Sequence, residues 1–343
     1  AYRKSVTVDE VGHLPAGISY WEQGTFELYH HNPPLVKLLA ALPALASSPT
    51  VDYTKSWEKN RQAGMPLSPW AFGWEFMYAN AARYQDIFFA ARLPVVGLSL
   101  LAGLVIFLWA SELFGPTSGL IGLALWTFCP NAIAHAGLVT TDMGATSIGF
   151  VATYLFWRYL CRPTWPRAGV AGVLLGLAEL AKFSSLLLYV IWPVVWIVWL
   201  VGQSRKRGLG SGLRASSTQG RDEPQGARRL DPRHPVSRSR HPILLSGCQF
   251  LVILLLSIVV INLGYFFEGT GTRLKQFAFL SKSLTRPRPA NSPLPAVSTQ
   301  HPWYRVIVER ENRFAGTWLA TLPVPLPRHY VEGFDEQKLE SEG

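Results

Sequence analysis

The chain has 343 residues, of which 49% are hydrophobic, and it carries a formal net charge of +10. Its apolar and basic residues are segregated, and five nearly uncharged windows are each long enough to cross about 30 Å of hydrocarbon. These windows argue against a soluble helix bundle and predict an all-α polytopic membrane protein. Three widely spaced cysteines suggest neither a disulfide framework nor a zinc site, and the sequence contains no glycine-rich phosphate loop or nucleophile elbow.

The first 93 residues contain no spanning window. They begin with a polar stretch, VDEVGH at 8–13, in which Asp9 and Glu10 are adjacent carboxylates of an expected surface loop. Further on, NPPLVKLLAALPAL places apolar residues on one helical face behind a proline pair. About a dozen residues are too few to span, so we expect an interfacial helix at 33–46. Because the chain begins with Ala1 and shows no charged leader, we also expect that a signal anchor has been removed.

The apolar windows follow this segment. Four of them are 94–114, 119–136, 143–160 and 243–266. The remaining window, 168–201, is roughly twice the length of one crossing and contains Lys182. A charge at the bilayer centre costs about 2.5–3.5 kcal/mol, so we divide this window into 168–181 and 184–201 with Lys182 at the interface between them. The alternative is that Glu179 and Lys182 form a simple helical i,i+3 pair. The sequence thus predicts about six spans.

Charge predicts the orientation of these spans. The basic segment 202–241 carries ten Lys and Arg against three acidic residues, and three more arginines lie at the opposite end of the double window. Both basic segments are cytoplasmic by the positive-inside rule. The predicted parts are an outer segment at 1–93, spans at 94–201, the cytoplasmic loop at 202–241, a span at 242–266 and an outer segment at 267–343. The predicted outer face then carries Asp9, Glu10, Asp142 and Lys182.

The cytoplasmic loop 202–241 is rich in Gly, Ser, Arg and Pro and poor in apolar residues, which is typical of disorder. It contains no aromatic residue on which a nucleic-acid base could stack. We therefore expect this loop to contact anionic lipid headgroups rather than nucleic acid.

Four motifs in chain order resemble those of a known family. The run VDEVGHLPAGISYWEQGTFELYHHNPPLVKLLAALPAL (8–45) resembles the first luminal loop of protein O-mannosyltransferases and of their bacterial relatives, including the aminoarabinose transferases. In this run the matching residues are Asp9, Glu10, Pro33, Pro34, Leu35 and Lys37. The other similar stretches are ARLPVVGLSLLAGL (91–104), TTDMGA (140–145) and GLAELAKFSSLLL (176–188). Each motif alone is weak, but the ordered set on one membrane face is more specific.

The resemblance implies a C-type glycosyltransferase fold, which we expect to be incomplete here because the family's flanking helices have no counterpart in this sequence. Such enzymes transfer a sugar from a polyprenyl-phosphate donor to an acceptor hydroxyl on the extracytoplasmic side. By resemblance, Asp9 is the base that deprotonates the acceptor, and Glu10 positions it. Arg92, Lys37 and Lys182 are the expected cations for the donor phosphate.

Asp142 would organise either the acceptor or a metal ion. A divalent metal is required in some C-type enzymes but not in the mannosyltransferases, so the cofactor stays open. The acceptor, whether protein, lipid or glycan, stays open as well. We expect a multi-pass integral membrane protein, which lies in the plasma (inner) membrane if the source is bacterial.

Simpler readings stand beside each of these roles. Adjacent carboxylates in a loop are often only solvated, Asp142 can cap a helix, and Arg92 can lie at the membrane interface as a snorkelling residue. His13, His30 and His31 match no metal-ligand spacing and are more simply loop histidines. The rival function is a non-enzymatic transporter, lipid-binding protein or assembly partner in which Asp142 and Lys182 line a permeation path.

Overall fold

The computed structural model describes residues 4–217 and 242–342, except 293, 296, 298 and 300, and it is built almost entirely from helices. In the N-terminal part these are α1 (Val8–Gln23), α2 (Leu35–Ala46), α3 (Ser56–Gln62), α4 (Pro69–Ala79), α5 (Tyr84–Phe114), α6 (Pro116–Thr127) and α7 (Pro130–Ala136). They are followed by α8 (Thr141–Cys161), α9 (Trp165–Ala181), α10 (Leu188–Ser217), α11 (Pro242–Gly264), α12 (Tyr304–Glu309) and α13 (Arg328–Ser341). A small antiparallel pair, β1 (Thr285–Pro287) and β2 (Arg310–Asn312), lies between α11 and α13. Short 3₁₀ helices cover Phe183–Leu187, Leu274–Gln276 and Trp318–Thr321.

Three helical segments in the described part of the chain are long and apolar enough to cross a membrane, namely Tyr84–Phe114, Phe183–Ser204 and Leu244–Gly264. The pair α6 and α7 makes a fourth if the two count as one span. The prediction of an all-α polytopic membrane protein is thereby confirmed. The number of about six spans is not confirmed, because α8 and α9 form at the predicted places but do not meet the same criterion of length and composition.

The predicted span 119–136 is broken rather than straight. Its two halves, α6 and α7, are bent by 61° at the short break before Pro130. Proline lacks the amide hydrogen that would continue the helical ladder, and it disfavours helical geometry in the residue before it. Cys129 accordingly has an extended conformation and Pro130 begins the second half.

The stretch VDEVGH forms the first turns of helix α1 instead of the polar loop that we expected. Thr7 is the N-cap and Glu10, three residues on, reaches back to it in a capping box. From Glu10 to Tyr20 the helix is buried, because α2 and α4 pack closely against it. A Cβ atom on Gly17 would lie 2.1 Å from the Lys37 carbonyl oxygen, and one on Gly73 would lie 2.1 Å from that of Val11. Both close approaches require glycine.

The helices α8 to α11 form the second packed unit. The Phe156 and Trp192 rings stack with their centroids 4.1 Å apart, and Phe250 packs on the same cluster. This core fixes the start of α8 and the end of α9 relative to each other. Residues 218–241, most of the predicted cytoplasmic loop 202–241, lie outside the described residues, and up to Ser217 the chain continues α10.

Residues after α11 fold back over α1 and α9. In α13, the Tyr330 hydroxyl donates a hydrogen bond to Glu179 at 3.1 Å, and the Tyr330 ring packs on Phe183. Gly333 of the same helix lies against the His30 carbonyl. Helix α13 therefore covers the segment that joins α1 to α2.

Candidate functional site

Asp142 and Lys182 meet at the end of the helix bundle. Asp142 lies in the first turn of α8, and Lys182 is the residue directly after α9. The Lys182 Nζ donates to Asp142 Oδ1 at 2.7 Å, and the His135 Nδ1 lies 3.8 Å from Oδ2. Partial burial acts to raise the pKa of Asp142, but the hydrogen bond and charge of Lys182 outweigh it and lower that pKa. Asp142 and Lys182, which the sequence placed on one face, form an ion pair.

Glu10 and Arg92 form a second ion pair, which is buried. The guanidinium donates two parallel hydrogen bonds to the carboxylate, Nε to Oε1 and Nη2 to Oε2, both at 2.7 Å. The Glu10 carboxylate also accepts from the amides of Thr7 and Val139. Arg92 further donates to the backbone carbonyls of Lys4 and Ser5. Burial acts to raise the pKa of Glu10, but these donors together lower it.

Asp9 lies one residue before Glu10 on α1 and its side chain is exposed. Within the described part of the chain it forms no hydrogen bond or ion pair, so both carboxylate oxygens are open to a ligand. Its charge acts on Tyr29, whose pKa is raised to about 12 mainly by burial. The geometry thus separates the acidic pair: Glu10 is enclosed and fully bonded, and Asp9 is presented to solvent.

His13 belongs to the same site, although the sequence favoured a simple loop histidine. It lies one helical turn after Asp9 and is buried, and its Nδ1 donates to the Val139 carbonyl at 2.9 Å. Burial lowers the pKa of His13 to about 4, and the charge of Lys37 acts in the same direction. The ring is therefore neutral at physiological pH, with the Nε2 lone pair unprotonated. The i,i+4 spacing from Asp9 would have indicated this role had the helix been recognised.

Lys37 is fully buried in α2 and its ammonium holds the loop before that helix. Its Nζ donates to the carbonyls of Tyr29 and Asn32 at 2.8 and 2.5 Å, and it lies 4.4 Å from the centroid of the Tyr29 ring. Burial lowers the pKa of Lys37 well below its usual value. The Pro-Pro-Leu-x-Lys motif thus has a structural use here, because its lysine satisfies the carbonyls of the turn that precedes it.

Two hydrogen bonds to Val139 join these groups. Its amide donates to Glu10 and its carbonyl accepts from His13, and Val139 lies three residues before Asp142. Helix α1 is therefore fastened to the segment that leads into α8. Of the predicted site residues, Asp9, Glu10 and Arg92 are connected through α1, and Asp142 and Lys182 stand at the adjoining end of α8 and α9.

An apolar cavity of about 500 Å³ is lined by residues that follow Asp142 and Lys182 in the chain, although neither of the two contacts it. It runs between α5, α8 and the start of α10, with Thr146 one turn from Asp142 and Ser184 two residues from Lys182. Trp109, Phe150 and Leu188 form its apolar wall. A smaller cavity of about 130 Å³ contacts Asp142, His135 and Thr146. Across the described ranges, no group of three or more His, Cys, Asp or Glu could hold a metal ion, so we assign no residues to one.

Comparison with known proteins agrees with the motifs. Residues 76–210 match the family model described as dolichyl-phosphate-mannose-protein mannosyltransferase. The match contains Arg92, Asp142 and Lys182, whereas Asp9, Glu10 and Lys37 precede it. No curated protein and no solved structure matches the chain. The resemblance indicated by the ordered motifs is therefore confirmed over residues 76–210, which are similar to the dolichyl-phosphate-mannose-protein mannosyltransferase family.

Proposed function

We propose that the protein transfers a sugar from a polyprenyl-phosphate donor to an acceptor hydroxyl on the extracytoplasmic face of the membrane. The observation that carries this proposal is the connection of three features. The exposed Asp9 is fastened through Glu10, His13 and Val139 to the start of α8, where Asp142 pairs with Lys182, and an apolar cavity is lined by Thr146 and Ser184, four and two residues further along the chain. A reaction between a water-soluble acceptor and a lipid-linked donor needs these features side by side. In a bacterium the membrane would be the plasma (inner) membrane.

Lys182 is the cation we assign to the donor phosphate. Its side chain is 31% exposed and pairs with Asp142, whose side chain is 45% exposed. Lys182 can therefore pair with a phosphate instead without leaving Asp142 as a buried charge. The cavity lined by Ser184, two residues after Lys182, is apolar and suits the polyprenyl chain. As the sugar leaves, charge develops on the phosphate, and a fixed ammonium stabilises that charge. Asp142 holds Lys182 in place and, at the N-terminus of α8, can also contact the acceptor.

Asp9 is the general base in this scheme. Its carboxylate takes the proton of the acceptor hydroxyl while the hydroxyl oxygen attacks the anomeric carbon and the lipid phosphate leaves from the opposite face, so the reaction inverts. Arg92 and Lys37 would reach the phosphate only by leaving Glu10 or the carbonyls of the 29–32 turn. We therefore assign both to positioning: Arg92 fixes α1 through Glu10, and Lys37 fixes the turn.

Replacing Asp9 with Asn tests the base. We expect transfer of labelled sugar from polyprenyl-phosphate mannose in membranes to fall by about 10²-fold or more, because general base catalysis contributes that much. Asp86→Asn is the matched control, since Asp86 is an exposed carboxylate in the first turn of α5. It should transfer sugar at the original rate. Equal rates in both variants would remove Asp9 from the mechanism.

A further inference from the structure

A third and larger cavity lies beside the loop that follows α1. It has a volume of about 650 Å³, within the range of roughly 300–1,000 Å³ that is usual for small-ligand sites. Five segments enclose it: the loop after α1, Arg61 of α3, the residues that lead into and begin α4, the residues before α12, and helix α13. We call it the outer cleft and define it by Tyr29, Arg61, Trp70, Trp303, His329 and Glu336.

The outer cleft adjoins the α1 face that carries Asp9. The Trp70 ring packs on Gly12, where a Cβ atom would lie 2.9 Å from it. Gly12 and His13 follow Asp9 by three and four residues, so all three share one helical face. Tyr29, which contributes to the wall of the cleft, has its ring centroid 5.2 Å from that of His13 and 6.0 Å from that of Trp70. Two residues of the cleft wall, Tyr29 and Trp70, therefore contact the stretch of α1 that follows Asp9.

The chemistry of the walls is aromatic and carboxylate-rich. Trp70 and Trp303 are 38% and 37% exposed, so each leaves part of its ring available to a ligand. A partly exposed aromatic face packs well against the apolar face of a flat ring and still tolerates water at its edge. Glu27, Glu336 and Glu340 add carboxylate oxygens, which accept hydrogen bonds from hydroxyl groups.

The basic side chains of the outer cleft already contact carboxylates. Arg61 lies 3.4 Å from Glu27, the His30 Nε2 donates to Glu336 at 2.9 Å, and His31 lies 3.4 Å from Glu340. His329 lies between two further glutamates. An anionic ligand would have to displace one of these carboxylates, whereas a neutral polyhydroxylated ligand can use the lone pairs that remain on them.

We propose that the outer cleft is the acceptor site and that it binds a neutral carbohydrate, whose sugar faces stack on Trp303 and Trp70 and whose hydroxyls bond to the glutamates. The proposal rests on the proposed function for the fate of the bound sugar, but binding can be measured without transfer. A phosphorylated acceptor is disfavoured because the basic side chains already contact carboxylates, and a peptide acceptor is the rival class.

Equilibrium binding to the purified full chain in detergent tests this proposal. The probes are a neutral hexose tetrasaccharide, the same tetrasaccharide carrying a phosphate, and a Ser/Thr-rich peptide. We expect the neutral tetrasaccharide to bind best. Trp303→Ala should raise its Kd by about fivefold to tenfold, the loss usual for one aromatic contact. Trp318→Ala is the matched control, because Trp318 is 76% exposed and does not contribute to the cleft, and it should leave the Kd unchanged.

A second variant controls for the possibility that Trp303→Ala weakens binding by disturbing the fold. Glu336→Gln keeps the volume of the side chain and should also weaken binding, and each variant is checked by its thermal unfolding temperature. Preferred binding of the peptide or of the phosphorylated sugar overturns the proposal, and so does a Kd that Trp303→Ala leaves unchanged. Failure of the Asp9 experiment with normal sugar binding would refute the base and leave the cleft standing. Normal transfer without sugar binding would refute only the cleft.

Discussion

Two ion pairs of the same length have different surroundings. Arg92 and Glu10 lie 2.7 Å apart with side chains 2% and 0% exposed, and Lys182 and Asp142 lie 2.7 Å apart with side chains 31% and 45% exposed. The first pair is closed, because its carboxylate and guanidinium also bond to four backbone groups. The second is open, because both of its side chains are partly exposed and Asp142 contacts the smaller cavity. A closed pair can hold elements together, and only an open pair can exchange a partner for a substrate.

Arg92→Ala is the change with the largest expected effect. It leaves the buried Glu10 carboxylate without its cation, and breaking a buried pair in this way costs about 3–5 kcal/mol. We expect a large fall in the unfolding temperature of the protein in detergent, and Arg92→Lys should recover only part of it because lysine cannot form the two parallel bonds. If Arg92→Ala kept its unfolding temperature and lost only affinity for the donor, the pair would be open and Arg92 a phosphate ligand.

Lys182→Ala tests the open pair. The pair is partly exposed, so its loss should change the free energy of unfolding by at most about 1 kcal/mol. Sugar transfer should nevertheless fall by about 10²-fold, the usual cost of removing one group that stabilises developing charge. Lys182→Arg should restore part of the activity. The control Lys275→Ala removes an exposed lysine remote from α8 and α9 and should change neither quantity. Normal transfer in Lys182→Ala would contradict the assignment.

The sequence predicts the open pair better than the closed one. Hydropathy and charge placed Asp142 and Lys182 at one interface, because both follow from the ends of apolar windows. The Glu10–Arg92 pair joins residues 82 positions apart, and its burial depends on the packing of α1 between α2 and α4. No local pattern reports that packing. Thr7 and Glu10 do have the spacing of a capping box, a local sign of a helix start that the expectation of a polar loop at VDEVGH did not use.

The comparison also explains why the outer cleft was not visible in the sequence. Its walls come from segments near residues 29, 65, 303 and 336, which no hydropathy window connects. His13 was missed for the related reason that its significance depends on helical spacing from Asp9. By contrast, the family motifs at 91–104, 140–145 and 176–188 fall within the residues that the family model matches.

His13 shares Val139 with Glu10 of the closed pair, and its titration can be followed through the pH dependence of stability. Its pKa in the folded protein is about 4, below the unfolded value of about 6.5, mainly because the ring is buried. The stability that the neutral ring supports is present above pH about 6.5 and is lost as the pH falls through about 4. We expect the unfolding temperature to fall over this interval, and His13→Asn, which can still donate to Val139, should reduce the fall. If the unfolding temperature of His13→Asn falls with acid as much as that of the unchanged protein, a group other than His13 causes the fall.

The exposed fraction of the His329 side chain is intermediate between those of the closed and the open pair. Loss of its charge has the smallest expected effect. Its side chain is 10% exposed, with Glu268 3.3 Å from Nε2 and Glu332 3.4 Å from Nδ1. The other groups that face it are the His30 ring, with centroids 5.6 Å apart, and Arg328, which pairs with Glu332. Burial acts to lower the pKa of His329, but the two glutamates raise it to about 9. Here the folded pKa is above the unfolded value, the opposite of His13.

The stability that protonated His329 adds is therefore fully present below pH about 6.5 and is lost as the pH rises through about 9. Because His329 joins α13 to Glu268 just after α11, we expect the loss to appear as faster hydrogen exchange of the α13 amides at pH 9.5 than at pH 6.5, after correction for intrinsic rates. His329→Gln should remove this difference, whereas the control His301→Gln should keep it. An α13 that exchanges equally at both pH values would show that its attachment depends on the packing of Tyr330 and Phe183 and not on the charge of His329.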